Sequence, residues 1–99
     1  MSKYYQNDVG TEILVDVGSD VSQATVRRFY VKKPSGEQVT WTASLGAVGV
    51  DGEIRTLRYI TIENDWNEVG FYTLQAYVEM PGGKWRGDSA KFEIKPPFA

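Results

Sequence analysis

Along most of this chain apolar and polar residues alternate one by one, and the three-to-four spacing of a buried helical face is hard to find. Residues 11–17 set Ile13, Val15 and Val17 against Glu12, Leu14 and Asp16, which predicts a first strand. Gly18-Ser19-Asp20 closes it, and Val21 and Ala24 are expected to plug one end of the core. Residues 25–33 predict a second strand, rich in β-branched and aromatic side chains. Val26 has one parity there and Phe29 and Val31 the other, so either a bulge resets the register or both faces are covered; the bulge is the expectation adopted. Pro34-Ser35-Gly36 predicts a tight turn into residues 37–43, whose Val39, Trp41 and Ala43 share a face, making a hairpin.

The stretch from Leu45 to Gly52 carries Gly46, Gly49 and an Asp51-Gly52 turn signal, and reads as the most mobile loop. Residues 55–63 return to alternation, with Leu57, Tyr59 and Thr61 opposing Arg58, Ile60 and Ile62. Acidic and amide residues from Asn64 to Glu68, followed by Gly70, then predict a sharp corner feeding a strand over residues 71–80. That strand is expected to pair with residues 85–95 across Pro81-Gly82-Gly83-Lys84, with Ala90, Phe92 and Ile94 facing inward.

About seven short strands without strand–helix alternation predict an all-β fold, an antiparallel β-sandwich of two sheets, with a five- or six-stranded barrel as the alternative. Tyr72 stands just after the corner, where immunoglobulin-like sandwiches carry a tyrosine that ties the corner to the backbone upstream, so the sandwich is expected to be immunoglobulin-like. Residues 1–99 are read as one domain, with an N-terminal arm over residues 1–8 and an extended C-terminal tail over residues 96–99. The arm is expected to be dispensable for folding.

Hydrophobic residues make up 41% of the chain and aromatics 13%, enough to support a packed core and to exclude disorder. A net charge of −2 gives no long-range positive field, so generic nucleic-acid binding is not expected. The paired basic residues Arg27 and Arg28, Lys32 and Lys33, and Arg55 and Arg58 read as solvated strand faces. The N-terminus lacks an apolar segment of signal-peptide length, and no apolar run reaches the roughly 18 residues of a membrane span, so folding in the cytoplasm without membrane contact is expected.

The chain has no histidine and no cysteine, which removes imidazole-dependent nucleophiles, thiolate chemistry, disulfides and the usual transition-metal ligands. Asp16 with Asp20, Asp51 with Glu53, and Glu63 with Asp65 lack any calcium-loop spacing and read as turn caps. Gly82-Gly83-Lys84 lacks a phosphate-loop context and reads as a hairpin turn. No enzyme activity and no cofactor are expected. Trp41 shares parity with Val39 and Ala43 and reads as core; Trp66 is a core plug or a ligand contact. Trp85 with Tyr77, Lys84 and Arg86 is a candidate aromatic and basic patch for a protein partner or, alternatively, a sugar. Tyr4, Tyr5 and Phe98 are candidate partner contacts on the two terminal segments.

The segments Asp8-Val9-Gly10-Thr11-Glu12-Ile13, Lys32-Lys33-Pro34-Ser35-Gly36 and Gly70-Phe71-Tyr72-Thr73-Leu74-Gln75-Ala76-Tyr77-Val78-Glu79, together with the Trp41 strand and Leu57-Arg58-Tyr59, resemble small immunoglobulin-like structural proteins of tailed bacteriophages and prophages. They are also similar to the immunoglobulin-like N-terminal domain of phage baseplate upper proteins, without the further domains of those proteins. The resemblance implies a non-enzymatic virion subunit of head, neck, tail or baseplate, made in the host cytoplasm and localised to the virion. It implies contacts with other virion structural proteins, with self-association in a symmetric assembly a further expectation. A carbohydrate- or cell-surface-binding module using exposed aromatics is the alternative function.

Overall fold

The computed structural model describes residues 4–98 and contains two sheets and no helix among them. Eight strands follow in order: β1 (Tyr4–Tyr5), β2 (Glu12–Asp16), β3 (Val26–Lys32), β4 (Gln38–Thr42), β5 (Ser44–Leu45), β6 (Thr56–Ile60), β7 (Gly70–Met80) and β8 (Gly83–Lys95). The larger sheet runs β1-β8-β7-β3-β4 and the smaller β2-β6-β5. Every pairing is antiparallel except β1 with β8, where Tyr4 and Tyr5 run parallel to Ile94 and Lys95. The chain passes between the sheets four times, after β1, β2, β4 and β6.

The inward residues are those that the alternation marked. Ile13 of β2, Phe29 and Val31 of β3, Leu57 of β6, Tyr72 and Leu74 of β7 and Ile94 of β8 are all buried. Each such side chain contributes about 1.5–3 kcal/mol by leaving water. Trp66, on the connection before β7, fills the centre: its ring meets Tyr72 edge-on at 4.8 Å and Trp41 at 5.4 Å. Val21 and Ala24 are buried at one end, as their position after the first turn predicted.

Two expectations are corrected. β3 pairs without interruption with both β4 and β7, so it has no bulge; Val26 instead sits half-buried on the outer face opposite Glu79. The register shift lies between β7 and β8, where Gln75 opposes Ser89 and Tyr77 opposes Arg86. Two steps along β7 there match three along β8, so β8 carries one extra residue around Gly87 and Asp88. Second, the N-terminal segment is part of the larger sheet: Tyr4 stacks on Trp66 at 6.1 Å and lies against Phe92 at 5.8 Å. The glycine-rich stretch after β5 is irregular as expected, with no strand over residues 46–55, and Gly46 and Gly49 donate to the carbonyls of Thr56 and Glu53. Arg55 spans its tip by pairing with Asp51 and Glu53.

Candidate binding face

The corner before β7 is a polar cluster wedged under the sandwich. The Tyr72 hydroxyl accepts the Glu68 N–H at 2.9 Å and donates to Asn67 Oδ1 at 3.3 Å. Burial is the main reason its pKa is raised. Lys33 is 7% exposed and donates to Asn67 Oδ1 at 2.8 Å and to the Asn64 carbonyl at 3.2 Å. The Glu68 carboxylate accepts from the Ser35 N–H and hydroxyl, which ties the corner to the β3–β4 turn. Gly70 passes so close to that turn, at a φ of 129°, that a Cβ would lie 2.9 Å from Pro34. These contacts secure the fold and leave little of the corner open to a ligand.

The larger opening lies on the outer face of the five-stranded sheet. Here Arg28, Tyr30 and Lys32 of β3 stand beside Gln38, Thr40 and Thr42 of β4 on one side and Tyr77, Gln75 and Thr73 of β7 on the other. A groove of about 780 Å³ runs over Tyr30, Lys32, Gln38, Thr40, Gln75 and Arg86. Lys32 and Arg86 are its charged lining, and no carboxylate is among its described lining residues. The Arg86 guanidinium sits 5.1 Å from the Tyr30 ring centre and 5.4 Å from that of Tyr77. Cation–π contact of this kind is worth about 0.5–1 kcal/mol at an exposed site and holds the charge in place. Gln75 Nε2 donates to the Gly87 carbonyl at 3.1 Å, anchoring the groove floor to the bulge.

The bulge decides what β8 shows to each side. Lys84 and Arg86 oppose Glu79 and Tyr77 on the outer face, whereas Trp85 opposes the inward-facing Val78. Past the extra residue the parity changes, and Ala90, Phe92 and Ile94 oppose the inward Leu74, Tyr72 and Gly70 as expected. The expected patch of Tyr77, Lys84, Trp85 and Arg86 is therefore split between two faces. Tyr77 is 9% exposed beneath Arg86 and donates its hydroxyl to Glu79 at 2.7 Å, the first cause of its raised pKa. Trp85 is 49% exposed and borders a separate cavity of about 350 Å³ with Val17, Asp20, Val21 and Met80.

Trp66 is fully buried, so a sugar platform of Trp66, Tyr77 and Trp85 does not assemble. Tyr4 is held in the aromatic cluster and Tyr5 in the β1–β8 pairing, while Phe98 is fully exposed on the tail beyond β8. Tyr30, Lys32, Gln38, Thr40 and Gln75 were missed by the sequence reading. The outward parity of Arg28, Tyr30 and Lys32 was the available signal, but which strands flank β3 is not written locally.

No group of three or more His, Cys, Asp or Glu among the described residues is placed to hold a metal ion. With neither histidine nor cysteine in the chain, the donors present do not fit a transition-metal centre.

No protein-family model and no curated protein matches this chain. Its fold is similar to the crystal structure of CopC from Methylosinus trichosporium OB3b, with a TM-score of 0.60 and 19% identity over 99% of this chain and 89% of that one. At that identity the likeness is one of fold, an all-β sandwich. It overturns the resemblance to phage immunoglobulin-like proteins, and with it the virion role and virion localisation. The physical reason is that the segments behind the resemblance are corners, turns and alternating strands, which β-sandwiches need whatever they do.

Proposed function

We propose that this protein is an immunoglobulin-like recognition domain that binds an acidic, hydrogen-bonding segment of another protein on the outer face of its five-stranded sheet. The parallel edge strand β1 beside β8 and the Tyr72 corner support the immunoglobulin-like reading. The protein is not an enzyme: it works by presenting a preformed surface. The observation that carries the binding reading is Arg86, fixed over Tyr30 and Tyr77 in a groove that holds a second cation, Lys32, and no carboxylate. In a chain of net charge −2, two cations in a groove bordered by Gln38, Thr40, Thr73, Gln75 and Ser89 suit a carboxylate-rich chain. The amides and hydroxyls suit its backbone.

A hexa-aspartate peptide titrated into the labelled protein, followed by NMR, tests this. Amide and side-chain shifts at Tyr30, Gln75 and Arg86 are expected to saturate, and Arg86→Ala should weaken binding by about tenfold or more, the loss of roughly 1.4 kcal/mol. A hexa-lysine peptide should leave the same signals unmoved. Absence of shifts on the groove with the acidic peptide, or equal shifts with both peptides, overturns the reading.

A further inference from the structure

We propose that the protein pairs with a second copy of itself through the free edge of β4, joining two five-stranded sheets across a twofold axis at Thr40. β4 is the last strand of the larger sheet, with only β3 beside it. The bonds Lys33 N–H to Glu37 carbonyl and Ala43 N–H to Arg27 carbonyl bracket the β3–β4 ladder. With Val31 opposite Val39 and Phe29 opposite Trp41, the odd-numbered residues of β4 point their backbone groups at β3. Gln38, Thr40 and Thr42 therefore direct their N–H and C=O groups outward.

The edge carries none of the features that blunt exposed strands. Its sequence Gln38-Val39-Thr40-Trp41-Thr42 has no charge and no proline, and β4 pairs with β3 without a register shift. Antiparallel pairing about Thr40 brings each Thr40 opposite its symmetry mate and Gln38 opposite Thr42 of the second copy. The outward groups then meet in phase, Thr40 N–H to Thr40 C=O in both directions, flanked by Gln38 and Thr42. Lys32 and Arg28 lie one strand further back, so the nearest cations of the two copies stand about 14 Å apart across three strand spacings. That exceeds the roughly 8 Å screening length at physiological salt.

Two other long edges are open. β8 over residues 83–93, beyond its two-residue contact with β1, is blunted by its bulge and by Lys84, Arg86, Asp88 and Lys91. β2 is unsuited on grounds of charge. Thr61 N–H to Thr11 carbonyl and Val17 N–H to Arg55 carbonyl leave the backbone groups of Glu12, Leu14 and Asp16 outward. Self-pairing about Leu14 would set Glu12 directly opposite Asp16, and like charges in that position repel. An uncharged strand without a bulge thus sets β4 apart from both of these edges. Because the contact is one strand edge rather than a broad apolar face, the dimer should be weak, with a Kd on the order of 100 μM. The pairing stands apart from the acidic-segment reading, and its test uses no ligand.

The chain lacks native cysteine, so single cysteines report the register. A hydrogen-bonded antiparallel pair places opposed Cα atoms about 5.5 Å apart, within disulfide reach. Thr42→Cys would lie about 14 Å from its counterpart in the same dimer. In a glutathione redox buffer Thr40→Cys is expected to form a covalent dimer at least about ten times faster than Thr42→Cys. Sedimentation of the unsubstituted protein should show concentration-dependent dimer, lost in Thr40→Lys and kept in Leu14→Lys. Equal crosslinking at the two positions, or a monomer up to millimolar concentration, overturns the proposal. Circular dichroism of each variant confirms that it is folded before it is scored.

Discussion

The Tyr72 hydroxyl and the Trp66 indole meet opposite fates a few ångströms apart. Tyr72 finds Glu68 N–H and Asn67 Oδ1, whereas Trp66 Nε1 is buried with no hydrogen-bond partner among the described residues. Leaving an indole N–H dry costs about 1–3 kcal/mol, offset here by four aromatic neighbours: Tyr4, Trp41, Tyr72 and Phe92. Tyr72→Phe removes the acceptor of Glu68 N–H and is expected to cost about 1–2 kcal/mol in urea unfolding. Trp66→Ala should cost about 3–5 kcal/mol, because the ring fills the centre of the core. A Trp66→Ala protein as stable as the parent would show that this cluster is not what holds the sheets together.

Titration at single residues bounds the pH range. Asp20 accepts the Ile54 and Ser22 N–H groups, which lower its pKa below 3.8, and Arg55 does the same for Asp51. A depressed carboxylate adds stability that is present above the unfolded value and is lost as pH falls through the folded one. The acid limb should therefore begin below about pH 4 and flatten in Asp20→Asn. Tyr59, half-buried, stacked on Trp41 and bonded to Asp65 at 2.7 Å, has a pKa raised mainly by desolvation. A raised tyrosine keeps its full contribution below the unfolded value near 10, so stability should fall as pH rises past it. Thermal scans from pH 2 to 11 on the parent, Asp20→Asn and Tyr59→Phe measure both limbs.

At the scale of the element, β1 and β8 depart furthest from the sequence reading. Tyr4 and Tyr5 carry no alternation long enough to predict a strand, and two residues cannot hold one alone. β1 exists because the β8 edge and the Trp66 cluster accept it. Deleting residues 1–7 is thus expected to cost about 2 kcal/mol or more, and to lower the melting temperature by roughly 8–16 °C. An unchanged melting temperature would return that segment to the status of a loose arm. In β8, by contrast, strand character was plain, but the extra residue at Gly87 and Asp88 was not. Its effect is to send Arg86 outward and Trp85 inward, which no local pattern announced.

For the whole molecule, the sign of the net charge conceals the sign of the charges lining the groove. Lys32 and Arg86 belong to strands far apart in sequence, and they share a groove only because β7 lies between β3 and β8. Binding of an acidic peptide should accordingly weaken as salt is raised from 50 to 500 mM, by about tenfold or more, since both charges are solvent-facing. Isothermal titration across that range checks it, and salt-independent affinity would argue for apolar contacts instead. Dimerisation through β4 would place two grooves side by side on one continuous sheet, so a peptide with two acidic blocks should bind more tightly than one block alone.

Local alternation and turn residues were enough for the all-β class, most strand positions, the core parity of Ile13, Phe29, Val31, Leu57, Leu74 and Ile94, and the tyrosine at the corner. These follow from period-two patterning and turn chemistry, which act between near neighbours. The packing of the strands was needed to place Trp66 in the core, to join β1 to β8, to part Arg86 from Trp85 by a bulge, and to bring Lys32 and Arg86 to one groove. Each depends on which strands lie side by side, a choice made by the packing of the whole core and not by any segment within it.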